Sequence, residues 1–119
     1  VTIVFSAHDH LFAREKVDNV IYQSVPNPAD NTYTAFNADA YVPSRVQLPG
    51  ARYVASEGVT LPNAGHLLVT VTPQQVTVSY VRAVLPGDES KAGVQNGAAA
   101  FSYGVTSTPT LVSQASSLP

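Results

Sequence analysis

Three histidines hold most of the chemical potential in this chain, and two of them are one residue apart, in His8-Asp9-His10. If that segment is extended, side chains at i and i+2 project to one face. Their Cα atoms then lie roughly 6.5 Å apart. Two imidazoles at that spacing can serve one metal ion, or each can bind one member of a pair about 3.5–4 Å apart. The same pattern also suits surface polar residues after a strand, or imidazoles hydrogen-bonded to backbone. His66, in Asn63-Ala64-Gly65-His66, stands alone at a strand entry and reads as structural. Two histidines fall short of the roughly three protein ligands of a catalytic zinc site. The carboxylates Asp9, Glu15, Asp18, Asp30, Asp39, Glu57, Asp88 and Glu89 show no recognisable ligand spacing with the pair. There is no G-x-S-x-G nucleophile turn and no glycine-rich phosphate loop. With no Cys, the chain has no disulfide, zinc-thiolate site or thiol nucleophile.

The elements that must position these residues read as mostly β. Val1-Thr2-Ile3-Val4-Phe5 is apolar at four of five positions, the pattern of a strand buried on both faces. Such a strand needs neighbours and a covering layer. His8 and His10 follow its C-terminal end, a usual place for active-site groups in layered α/β proteins. Leu11 to Lys16 fits a short helical turn or a loop. Val17 to Val25 is a second strand candidate, entered through the turn residues Asp18-Asn19 and ended by Pro26 and Pro28. Residues 27 to about 64 are loop-rich, and a stretch of that length tends to be functional. Asn37, Asp39 and Tyr41 are candidate pocket residues within it. Leu67–Thr72 and Val76–Val81 alternate apolar and polar residues around Pro73-Gln74-Gln75. They predict a hairpin with Val69, Val71, Val76, Val78 and Tyr80 inward. A loop from Pro86 to Gly97 leads to a last strand at 98–105, and 106–119 reads as a flexible tail. No segment carries helical periodicity over three turns.

Composition narrows the functional classes. The 119 residues suit one domain, and a net charge of -2 gives no electrostatic case for nucleic acid or an anionic membrane. No apolar run approaches the roughly 20 residues of a membrane span. Hydrophobic residues make up 45%, enough for a core. The chain lacks Met and begins with strand-like residues. The expectation is a piece of a larger protein. Absence of Cys fits a periplasmic or secreted protein, the location favoured here, and equally a cytosolic one.

Ile3-Val4-Phe5-Ser6-Ala7-His8-Asp9-His10-Leu11-Phe12-Ala13-Arg14 resembles the last metal-binding motif of the calcineurin-like metallophosphoesterases. There a buried strand runs into G-H-x-H, often followed by an aromatic residue and an Arg two further on. Purple acid phosphatases share the arrangement. Val20-Ile21-Tyr22-Gln23, Asn37-Ala38-Asp39-Ala40-Tyr41 and Gly65-His66-Leu67 with the hairpin after it resemble a bacterial secreted-type branch. The resemblance covers about residues 1–105: strand and H-x-H motif at 1–16, strand and loops at 17–64, hairpin and last strand at 65–105.

It implies the C-terminal portion of a four-layer αββα sandwich that holds two metal ions, Fe, Mn or Zn. His8 would ligate one ion and His10 the other. The reaction implied is hydrolysis of phosphomono- or diesters by metal-activated water. Phe12 would either flank the substrate entrance or pack in the core. Arg14 would either steady phosphate or a loop carboxylate, or pair with a nearby acid. Ala7 replaces the usual Gly, so that position must avoid positive φ or be strained. The family's D-x-H, G-D, G-N-H-D/E and isolated His precede G-H-x-H in family order, and none of them stands ahead of His8 here. The implied partner is therefore an N-terminal portion, in the same protein or as a second chain, without which the chain is inactive. The competing class is a non-catalytic β-domain for binding or assembly.

Overall fold

The computed structural model describes residues 1–36, 38 and 58–106. The pocket candidates Asn37, Asp39 and Tyr41 and the expected tail from residue 107 lie outside them. Among the described residues, seven strands form two sheets and there is one short helix. The first holds β1 (Ile3–Ser6), β2 (Phe12–Val17), β3 (Val20–Ser24) and β4 (Val59–Leu61), in the order β1-β3-β2-β4. The second holds β5 (Gly65–Val71), β6 (Gln75–Arg82) and β7 (Ala99–Thr106), in sequence order. Helix α1 (Glu89–Ala92) lies between β6 and β7 and closes on Gly93, which takes the left-handed conformation of a helix C-cap.

Asp18 and Asn19, with φ of 52° and 64°, join β2 to β3. Both central residues at positive φ is the requirement of the tight turn whose twist matches a hairpin, and Asp and Asn tolerate it best after Gly. The resulting register pairs Val17 with Val20 and Arg14 with Gln23. It sets Phe12, Arg14, Lys16, Ile21 and Gln23 on one face. In the second sheet Leu67 faces Tyr80, Val69 faces Val78 and Val71 faces Val76. Thr72 closes that hairpin, donating its N–H to the Gln75 carbonyl at 2.8 Å. Gly65 is required where β5 meets β6, because a Cβ there would collide with the Tyr80 ring and the Val81 carbonyl.

The two sheets pack through aromatic side chains. Phe12 stacks on Tyr80, with ring centroids 4.9 Å apart and planes 7° from parallel, and its other neighbour is Phe101 at 5.7 Å. Arg14 lies over the Tyr103 ring at 4.7 Å, and the Tyr103 hydroxyl donates to Gln23 Oε1 at 2.9 Å. Gln23 is fully buried, and its Nε2 donates to the Ala13 and Ser24 carbonyls, so its amide is satisfied on both sides. A second small cluster of Tyr33, Ala64 and Val84 seats α1 and its sequel through Ala92 and Val94.

Several expectations change. The segment 11–16 is neither helical turn nor loop: it is most of β2, a central strand paired with both β3 and β4. Its Arg-Glu-Lys run hides the alternation, because these charged residues occupy both faces of one strand. β4 arises inside the stretch read as loop. Val17 ends β2 rather than opening a strand with Val20, since Asp18-Asn19 reverses the chain between them. β1 is an edge strand, paired in parallel with β3 alone among the described residues. Hence Val4 and Phe5 are 37% and 44% exposed, and β1 is not buried on both faces within this chain. The mostly β reading holds.

Candidate functional site around His8 and His10

The topology forces a tight arch where the histidines lie. β1 and β3 are parallel neighbours, and β2 lies on the far side of β3. The connection from Ser6 to Phe12 must therefore pass over the end of β3, a span of about 9.5 Å at two strand spacings. It is fixed at its start by the Val25 N–H, which donates to the Ser6 carbonyl at 2.7 Å, and at its finish by the fully buried Leu11. Between these anchors the segment bends rather than running extended. The same-face argument for an extended H-x-H does not apply here. His8 has φ of 112° and His10 of 58°, while Ala7 is not among the positive-φ residues. The strain expected at Ala7 thus falls on the two histidines. A β-carbon at positive φ costs on the order of 1–3 kcal/mol per residue and persists only where the surroundings impose it.

Both imidazoles are exposed, and Asp9 between them is half-buried. The His10 ring sits 6.1 Å from the Phe36 ring. Beneath the arch is Asn63, fully buried in the segment between β4 and β5. Its Nδ2 donates to the His10 carbonyl, and more distantly, at 3.4 Å, to Asp30 Oδ2. Its Oδ1 accepts from the Asn27 N–H at 2.9 Å. Asp30 is fixed by Thr32, whose hydroxyl and N–H donate to Oδ1 at 2.6 and 3.0 Å. Those donors, the hydroxyl first, hold the Asp30 carboxyl below the usual carboxylate range, and the Coulomb attraction of His10 acts in the same direction. An anion is thereby kept beside His10. An apolar cleft of about 270 Å³, lined by Pro28, Asp30, Tyr33, Val84 and Leu85 among others, opens next to this network.

Phe12 and Arg14 do not join the histidines. Phe12 is fully buried between the sheets, and Arg14 is half-buried against Tyr103. Within this chain Phe12 has no exposed edge to offer a substrate. His66 lies in β5 opposite Val81, exposed and apart from the arch. Among the described residues, no group of three or more His, Asp or Glu side chains is placed to hold a metal ion. His8 and His10 suit a metal by their chemistry and exposure but supply only two donors. Sequence reasoning missed Asp30, Phe36 and Asn63 as neighbours of His10, and Asn27 as the partner of Asn63. The one available signal was Asp30-Asn31-Thr32, a pattern that favours a local side-chain turn. Comparison with family models, with curated proteins and with solved structures returned no match.

Proposed function

We propose that this chain is the histidine-bearing C-terminal part of a dinuclear metal-dependent phosphoesterase. His8 and His10 would each give one imidazole to a different ion, of Fe, Mn or Zn, with the other ligands coming from an N-terminal portion. Bound metals would supply a lowered water pKa and a clamp on the phosphoryl oxygens. The observation that carries the reading is the arch itself: two exposed histidines, both at positive φ, at the C-terminal end of a parallel strand. Backbone strain of this kind gathers at functional sites, and the inference runs from the outlier to the function.

Among the described residues β1 pairs on one side only, which supports the larger assembly. Val69 and Val71 share the inward face of the second sheet, yet they are 40% and 71% exposed. Together with Ile3 and Phe5 they line a trough of about 350 Å³ beside the edge of β1. A further strand on that edge would extend the first sheet over these valines, as the αββα arrangement requires. A periplasmic or secreted location belongs to the same proposal.

The test joins the chain to the N-terminal portion that the resemblance implies and measures metal content and turnover of p-nitrophenyl phosphate. The expected result is about two transition-metal ions per assembly. Turnover should be lost in His8→Ala and in His10→Ala, and the 119-residue chain alone should be inactive. A metal-free, stable, inactive assembly would overturn the reading in favour of a β-domain for binding or assembly. Metal-dependent turnover by the isolated chain would overturn the need for a second portion.

A further inference from the structure

We infer that Asn63 is a positioning residue for the histidine arch: its buried carboxamide holds the His10 backbone in its left-handed conformation and so aims the His10 imidazole. The inference rests on the proposed metal role of His10, and it adds a residue that shares no motif with the histidines. Asn63 is 53 positions from His10 in sequence. Nothing in the local sequence of the arch dictates its conformation, since His10 at φ of 58° is disfavoured on its own. Something outside the arch must therefore select it.

Asn63 meets that need with every polar group it has. Its side-chain Nδ2 donates to the His10 carbonyl and its Oδ1 accepts from the Asn27 N–H. The chemistry fixes this orientation: a backbone N–H can only donate and a carbonyl can only accept, so the amide cannot be turned around. Its own N–H donates to the Thr34 carbonyl at 2.9 Å, and its carbonyl accepts from Arg82 Nη2. Arg82 is itself buried, and its Nε donates to the Ala64 carbonyl at 3.0 Å. The arch is thus tied through one side chain to the 27–34 loop and, through Arg82, to β6 of the opposite sheet. A buried amide satisfied on all sides has one low-energy pose, because any other leaves a desolvated donor or acceptor unmade.

Asn63→Asp tests the role with almost no change of shape. It keeps an oxygen for the Asn27 N–H, removes the donor to His10 and sets a carboxylate against the His10 carbonyl and Asp30. The full chain, labelled with ¹⁵N and ¹³C, is the sample. In the wild type, the Asn63 side-chain N–H protons should exchange slowly with water, and His10 should show the strong intraresidue HN–Hα contact of positive φ. Rapid exchange of those protons in the folded wild type overturns the inference, whatever any variant does. In Asn63→Asp, and in the uncharged Asn63→Ala, the His10 signature should disappear while the amide signals of β5–β7 stay dispersed. Its survival in a folded variant overturns the inference.

Co²⁺ titration of the chain joined to the proposed N-terminal portion, followed at the His8 and His10 imidazole resonances, reads the functional consequence. Binding should weaken about tenfold or more in Asn63→Asp. Equal binding in wild type and variant overturns the positioning role. A wild type whose imidazoles ignore Co²⁺ while the His10 backbone signature is intact overturns the proposed metal role instead, and the two failures are told apart.

Discussion

Phe12 offers the sharpest test of how this fold is held together. In Phe12→Ala a fully buried ring is removed from between Tyr80 at 4.9 Å and Phe101 at 5.7 Å. Truncating a buried Phe costs about 3–5 kcal/mol, of which the aromatic pairing itself accounts for about 0.5–1.5 kcal/mol. The upper part of the range applies here. The void would lie between two sheets whose backbones are fixed by hydrogen bonds, so the walls cannot collapse onto it. A total stability of about 5–15 kcal/mol leaves such a variant marginal. Phe12→Leu, which keeps most of the volume and loses the stacking, should cost about 1–2 kcal/mol. Urea unfolding followed by tyrosine fluorescence and circular dichroism measures both. With a slope of about 2 kcal/mol/M, the Ala variant should lose about 2 M in midpoint and the Leu variant under 1 M. A folded Phe12→Ala chain that loses less than about 1 kcal/mol would refute the packing argument and return Phe12 to the list of residues free to meet a substrate.

Three further outcomes follow from named contacts. Tyr103→Phe should cost about 1–2 kcal/mol in the same urea experiment, because it strips the fully buried Gln23 Oε1 of its donor. Burial pushes the Tyr80 phenol up to about 12 from an ordinary 10.0, so the folded state holds that proton more tightly. Its contribution is complete below pH 10 and is lost as pH rises through 12. Urea midpoints should fall between pH 9 and pH 11, and fall less in Tyr80→Phe. His8→Gly should be more stable than His8→Ala by about 1 kcal/mol, since only glycine relieves φ of 112°; equal midpoints would show that the arch stores no strain at His8.

What was legible in the sequence and what was not divides along a physical line. The β5–β6 hairpin was readable because alternation, a turn segment and one buried face all agree from Leu67 to Val81, a purely local signal. The inward side was also right in its register: Val69, Val71, Val76, Val78 and Tyr80 do share a face. Their burial was not readable: Val78 and Tyr80 are buried, Tyr80 against Phe12 of the first sheet, while Val69 and Val71 stay exposed in the trough beside β1. β2 was lost because Arg14, Glu15 and Lys16 look like a solvated turn. Only the tertiary pairing with β3 and β4, and an aromatic face in the other sheet for Arg14 to lie on, makes them a strand.

The candidate site shows the same division more severely. The residue types that could do chemistry, His8 and His10, stand out at once, and their neighbours do not. Asn63 reaches His10 from 53 positions away, and Asn27 meets Asn63 from 36. No local spacing encodes such contacts. The extended-strand geometry assumed for H-x-H fails for a topological reason: the chain must pass over β3 to reach β2, and a straight segment cannot make that turn. Once the strand order is known, the bend, its positive φ values and its need for an outside support follow together. The strand order β1-β3-β2-β4 thus explains the strained histidines better than their motif does.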